Sequence, residues 1–236
     1  VYTKGFLEFK TLNNEEVIIK MGVSPVSSKN ALENINAEIP HWDFDEIVAN
    51  AEKKWNKELS KVKIETSDLT KKRIFYTAMF HTMIAPNLYN DVNGEYRGTD
   101  KKVYADPGFT NYTLFSLWDT YRAAHPLYTI TQPERVSDMV NSMLLIFEQQ
   151  GKLPVWHLRG NETNTMPGYS AIPVIVDACL KGFEGIDLEK AYEEGPVGFM
   201  TRGRPGHHVD NLLDVPKDDI MDDWYGYLPD SLIMHK

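Results

Sequence analysis

Two hydrophobic periods divide this chain. Up to about residue 26 the apolar positions alternate and cluster as they do in strands. Phe6, Leu7 and Phe9 form one group, and Val17-Ile18-Ile19-Lys20-Met21-Gly22-Val23 form the other, with the turn-prone Asn13-Asn14 between them. Two such strands cannot make a domain alone, so they are expected to belong to a sheet that lies mostly outside this chain. From Asp43 the period lengthens. Phe44, Ile47, Val48, Ala51, Trp55 and Leu59 recur at helical spacing, behind an Asp43/Glu46 pair with the spacing of a capping box.

Helical spacing then repeats. Ile74, Phe75, Ala78, Met79 and Met83 predict a helix stopped by Pro86, and a long loop follows through Asp91-Val92-Asn93-Gly94-Glu95-Tyr96 and Asp106-Pro107-Gly108. Leu114, Leu117, Trp118 and Tyr121 predict a third helix ending near Pro126. Val136, Met139, Val140, Met143, Leu144 and Phe147 predict a fourth, from Pro133 to Gly151. Ile172, Ile175, Val176 and Cys179 lie in a fifth, from about Pro173 to Gly182, and a short sixth spans 187–194. Residues 195–230 are rich in Gly, Pro and Asp. Helices separated by long, aromatic-rich loops differ from an ordinary bundle with short connections. The expected class is mainly α, a partial (α/α) barrel preceded by two or so strands of a sheet that lies mostly outside this chain.

Composition narrows the function. The chain of 236 residues is 42% apolar and 11% aromatic, as globular proteins are, with 25 basic against 34 acidic residues and a net charge of -9. No basic cluster is available for a phosphate backbone, which excludes nucleic acid as the expected partner. No apolar run approaches the roughly 20 residues that span a bilayer. The single cysteine, Cys179, excludes an internal disulfide and lies in an apolar run, where an inert thiol is expected. The first residues, Val1-Tyr2-Thr3-Lys4-Gly5, carry no signal peptide and the end carries no clear stop, so the chain reads as a piece of something longer.

The densest chemistry lies in Leu153-Pro154-Val155-Trp156-His157-Leu158-Arg159-Gly160-Asn161-Glu162-Thr163-Asn164-Thr165-Met166. An indole, an imidazole, a guanidinium and one carboxylate fall within a short loop. Aromatic rings stack on sugar faces, Arg and Asn hydrogen-bond hydroxyls, and a carboxyl group kept protonated by apolar surroundings can serve as a general acid. Glu162 is that carboxyl group, or else a solvated loop residue; Asn161-Glu162-Thr163 also matches the common glycosylation sequon. Asp119 and Arg122 stand at i and i+3 beside Trp118, as a surface ion pair or as a sugar-gripping rim. Asp91-Val92-Asn93-Gly94-Glu95 starts like a calcium loop, but its Gly comes too early and Lys102 stands where the closing Glu belongs, so a turn is the better reading. The adjacent His207 and His208 lack metal-ligand spacing and read as loop residues that contact ligand.

In order along the chain, Asn93-Gly94-Glu95-Tyr96-Arg97-Gly98, the segment Tyr112–Pro126 with its Ser116-Leu117-Trp118-Asp119-Thr120-Tyr121-Arg122, then Gly151-Lys152-Leu153-Pro154-Val155-Trp156 and Gly160-Asn161-Glu162-Thr163 resemble glycoside hydrolase family 92. The resemblance implies an exo-acting, inverting, calcium-dependent α-mannosidase acting on mannose-containing glycans, and a secreted, periplasmic or cell-surface address. It implies residues 1–40 as the end of a β-sandwich, 41–66 as a linker helix, and 67–236 as the first part of the barrel. By the same resemblance Glu162 matches the general acid. Trp118, Asp119, Arg122, Trp156, Asn161, His207 and His208 match or lie near the sugar-binding subsite. The family's base comes from an Asn-Asp-Asp-x-Gly motif that is absent from this sequence, and no Ca2+ ligand is assigned here. Where members cleaving α-1,2 bonds tend to have a His-Glu pair, this chain has His207-His208 or His208-Val209. A non-catalytic carbohydrate-binding module on a helical scaffold is the alternative.

Overall fold

The computed structural model describes residues 4–13, 15–166 and 169–192. It is mainly helical, and its first helix was not anticipated. Helix α1 (Ser28–Glu38) starts at Ser27, whose hydroxyl accepts from the Asn30 amide at 3.1 Å. Only Asn30 is buried in it. It docks through polar side chains rather than an apolar stripe: the Asn30 and Asn34 amides and the Ser24 hydroxyl all donate to the Asp91 carboxylate, at 2.9, 2.7 and 2.6 Å. Hydrophobic periodicity cannot detect such a helix.

The strands expected before residue 26 are not formed among the described residues. Phe6, Leu7, Ile19 and Met21 are 90, 79, 70 and 81% exposed. A strand needs a neighbour to take up its N–H and C=O groups, and no described segment provides one.

Helix α2 (Phe44–Leu59) follows expectation, with the Asp43 carboxylate accepting from the Glu46 amide at 3.0 Å. Helix α3 (Leu69–Thr82) is capped by Asp68 and packs on α2, where Trp55 and Phe80 meet edge-on at 4.6 Å between ring centres. Just after α2, Lys61 donates to Gln132 (3.1 Å) and pairs with Glu58 and Glu134, tying this hairpin to the helices beyond.

The next loop folds into short pairings: β1 (Asn87–Leu88) with β4 (Tyr112–Thr113), and β2 (Tyr96–Arg97) with β3 (Val103–Tyr104), both antiparallel. β5 (Phe115–Ser116) comes next. The single helix predicted from Leu114 to Pro126 is instead two. Leu114 has φ +64°, which a right-handed helix does not admit, so helicity starts later as the single turn α4 (Leu117–Thr120). Helix α5 (Ala124–Thr131) then runs through Pro126, which is tolerated because it lies in the first turn.

Helix α6 (Pro133–Gln150) has Pro at its start and Gly151 at φ 73° beyond its end, as its sequence predicts. Strand β6 (Trp156–His157), helix α7 (Ala171–Leu180) and helix α8 (Leu188–Tyr192) complete the described chain. The core lies between α5, α6 and α7. Val140, Met143, Leu144 and Phe147 of α6 are buried with Tyr128, Ile172, Ile175 and Ala178. Cys179 packs at its margin, and burial pushes its thiol pKa up, which keeps it protonated and unreactive.

His125 sits in this core between the rings of Phe115 and Tyr128, at 6.4 and 5.4 Å. Burial pushes its pKa down to about 4 from an ordinary 6.5, so the folded chain holds it neutral. The unfolded chain protonates it near 6.5, so its contribution to stability is complete above that pH and is lost as pH falls towards 4. Urea unfolding should show a pH-dependent loss from this residue on the order of 3 kcal/mol across that window. His125→Phe should reduce the slope; an unchanged slope contradicts the assignment.

Candidate active site

The loop from Leu153 to Met166 is joined to the Trp118 segment by a two-residue ladder. β5 and β6 pair antiparallel, Phe115 opposite His157 and Ser116 opposite Trp156, and the Leu117 amide donates to the Val155 carbonyl at 3.4 Å. Side chains alternate across such a ladder. Phe115 and His157 enter the core at 1 and 2% exposure, whereas Ser116 and Trp156 are half-buried.

β6 continues into a tight turn. Leu158 and Asn161 exchange both backbone hydrogen bonds, at 2.7 and 3.0 Å, and the two residues between them, Arg159 and Gly160, have φ of 49° and 67°. Positive φ at both central positions is the signature of a type I′ hairpin turn. A Cβ on Gly160 would lie 2.7 Å from the Tyr89 hydroxyl and 2.9 Å from the Arg97 carbonyl, so the turn is seated against the β2–β3 hairpin. Beyond the turn, Glu162 falls opposite His157.

The Glu162 carboxylate then curls back over its own loop. Oε1 accepts from the Trp156 and Asn164 amides, both at 2.9 Å, and Oε2 accepts from the Val155 amide at 2.8 Å. Two of these amides, Val155 and Asn164, lie outside any described strand or helix, and there the carboxylate provides the acceptor that a neighbouring strand would otherwise supply. Three bonds fix the side chain. Among the described residues Oε2 has one donor and keeps a further lone-pair direction.

Beneath it lies His157. The Arg159 amide donates to the Thr113 hydroxyl at 2.7 Å, and the same hydroxyl shares a hydrogen bond with His157 Nδ1 at 3.2 Å. Burial pushes the His157 pKa down to about 4, opposed by the Glu162 charge. The ring is therefore neutral and acts as a packing and hydrogen-bonding block.

The remaining expected site residues are placed as follows. Trp118 on α4 is 40% exposed. The Arg122 guanidinium lies 5.7 Å from its ring centre and 5.0 Å from that of Tyr121, and Nε donates to the Tyr121 hydroxyl at 2.7 Å. Asp119 makes no ion pair with Arg122 among the described residues; it accepts from the Ser116 hydroxyl instead. Ser116 thus joins Asp119 to the strand that carries Trp156. Asn161 is exposed, with Oδ1 3.3 Å from Lys101 Nζ. His207 and His208 lie outside the described residues. Sequence reasoning missed Thr113, whose role depends on its position on β4, and Lys101, which donates to the Gly160 carbonyl at 2.6 Å.

The Asp91 loop is a turn, as its sequence predicts: the Gly94 amide donates to the Asp91 carbonyl at 2.8 Å with Gly94 at φ 86°. Among the described residues no three His, Cys, Asp or Glu side chains converge as metal ligands, and no helix is long and apolar enough to cross a membrane.

Residues 30–231 match the glycosyl hydrolase family 92 catalytic domain. A solved family GH92 alpha-mannosidase from Bacteroides thetaiotaomicron is 42% identical at a TM-score of 0.70, over 72% of this chain and 23% of its own. The same enzyme, solved in complex with mannoimidazole, matches with equal identity and TM-score over 72% of this chain and 22% of its own. A family GH92 inverting mannosidase from the same organism is 28% identical at a TM-score of 0.71, over 79% of this chain and 25% of its own. The chain therefore spans about a quarter of the length of these relatives. No curated protein matches it.

Two substitutions test the loop. Gly160→Ala places a Cβ against Tyr89 and Arg97 at a left-handed φ and should cost at least about 1 kcal/mol in chemical unfolding. Glu162→Gln offers one acceptor where two oxygens were used, leaving a backbone N–H unsatisfied, and should cost about 1–3 kcal/mol. A stability equal to that of the original chain for either variant would contradict this geometry.

Proposed function

The chain belongs to glycosyl hydrolase family 92, and from that premise we propose that it carries the proton-donating part of an exo-acting α-mannosidase. Glu162 is the general acid. The observation that carries this reading is the fixed placement of its carboxylate inside the matched domain, with one lone-pair direction of Oε2 left open among the described residues. A sugar alkoxide is a poor leaving group, so glycosidic cleavage needs a proton delivered to the bridging oxygen as the bond breaks. Oε1 is occupied by two amide donors. Oε2 has the vacant lone-pair direction, so the transferable proton belongs on Oε2, and the bridging oxygen approaches there.

Trp118 and Trp156 supply flat apolar faces for the sugar, and Arg122, Asp119 and Asn161 supply hydrogen bonds to its hydroxyls. His207 and His208 contact the same ligand. The substrate is a terminal α-linked mannose of a glycan, and the enzyme acts at a secreted, periplasmic or cell-surface location. Residues 1–40 form the end of a β-sandwich, 41–66 a linker helix and 67–236 the first part of an (α/α) barrel. Inversion requires a second carboxylate about 6.5–9.5 Å from the acid to activate water. That base is supplied from outside this chain. Calcium, when bound, would polarise sugar hydroxyls; the described residues offer no set of ligands that fits it, and no step is derived through it.

This chain alone should therefore give no measurable turnover of an aryl α-mannoside. In the full-length enzyme, Glu162→Gln should slow hydrolysis of an α-linked mannobiose by about 10²–10⁴-fold. It should slow a dinitrophenyl α-mannoside far less, because that leaving group departs without a proton. A loop-holding role alone would slow both substrates equally, and that outcome would remove Glu162 from the acid role.

A further inference from the structure

Lys101 belongs to neither the core nor the sugar-facing residues, yet both of its ends are fixed. It stands at φ 68°, a left-handed conformation that a lysine adopts only under constraint. Its amide donates to the Gly98 carbonyl at 3.0 Å, and its carbonyl accepts from Arg97 Nη1 at 2.9 Å. Arg97 is anchored in turn, with Nε and Nη2 donating to the carbonyls of Pro25 and Val26 at 2.6 and 3.2 Å. From this braced backbone the Lys101 ammonium reaches the Gly160 carbonyl at 2.6 Å and Asn161 Oδ1 at 3.3 Å.

The other side of the same turn is closed. Gly160 abuts the Tyr89 hydroxyl and the Arg97 and Gly98 carbonyls, with no room for even a methyl group. The turn that leads into Glu162 is thus held against the β2–β3 hairpin by contact on one side and by the Lys101 ammonium on its carbonyl. We propose that Lys101 is a positioning residue for proton donation: it fixes the Gly160-Asn161 turn, and so the direction in which Glu162 presents Oε2. The proposal rests on the reading of Glu162 as the acid.

A misdirected acid fails on substrates that need its proton and is spared on those that do not. In the full-length enzyme, Lys101→Met should lower kcat on an α-linked mannobiose about 10-fold or more with KM little changed. It should leave a dinitrophenyl α-mannoside within about twofold of the original rate. Lys101→Arg, which can still donate to both oxygens, should recover most of the loss. Lys101 is exposed, so the melting temperature should hardly move and neither variant should fail to fold. Equal losses on both substrates, or no loss on mannobiose, overturns the proposal. Glu162→Gln measured beside these variants separates the cases. If it discriminates between the substrates and Lys101→Met does not, only the role of Lys101 falls. If Glu162→Gln does not discriminate either, the acid reading falls and takes this one with it.

Discussion

The convergence of three backbone amides on the Glu162 carboxylate is the constraint on which the site depends. Val155, Trp156 and Asn164 belong to a stretch with few ladder partners, and their N–H groups need an acceptor wherever water is excluded. One side chain supplies it. The carboxylate satisfies amides of the loop, and the loop in turn fixes the direction of the carboxylate. Folding and preorganisation are therefore the same set of hydrogen bonds, and on the proposed reading of Glu162 as the acid no rearrangement is needed when a substrate arrives.

Support for that loop comes in layers. Helix α6 buries its apolar face against α5 and α7. Phe115 and His157 enter that core from paired strands, so the ladder between β5 and β6 is anchored from below. The Thr113 hydroxyl sits between the Arg159 amide and the His157 ring. From the opposite side, the β2–β3 hairpin carries Arg97 and Lys101 up to Gly160. A shift in any of these layers reaches the carboxylate through only a few contacts.

Much of this was legible in the sequence where burial is apolar and periodic. α2, α6 and α7 each announce themselves by an apolar stripe or by Pro and Gly at their ends. α1 does not, because it docks through Asn30 and Asn34 onto Asp91. The break at Leu114 was hidden for another reason: nothing in its side chain signals a left-handed backbone, and the apolar spacing ran straight through it. Residues 4–26 have the composition of strands, but no described segment supplies the neighbour they would pair with, and no strand forms there among the described residues. At the site, Glu162 and the Trp118 segment could be picked out from the order of motifs. Their meeting across a two-residue ladder could not, because two residues carry no period. Thr113 and Lys101 act over 44 to 60 residues of separation through single polar contacts, which leave no pattern in the chain.

The central claim concerns where the proton leaves from, and it is best tested by a crystal structure of the full-length enzyme with a sulfur-linked mannobiose that resists cleavage. The account predicts the bridging sulfur within about 3.5 Å of Glu162 Oε2, with Oε1 still accepting from Trp156 and Asn164. A bridging atom facing Oε1, or lying beyond the reach of the carboxylate altogether, would contradict it.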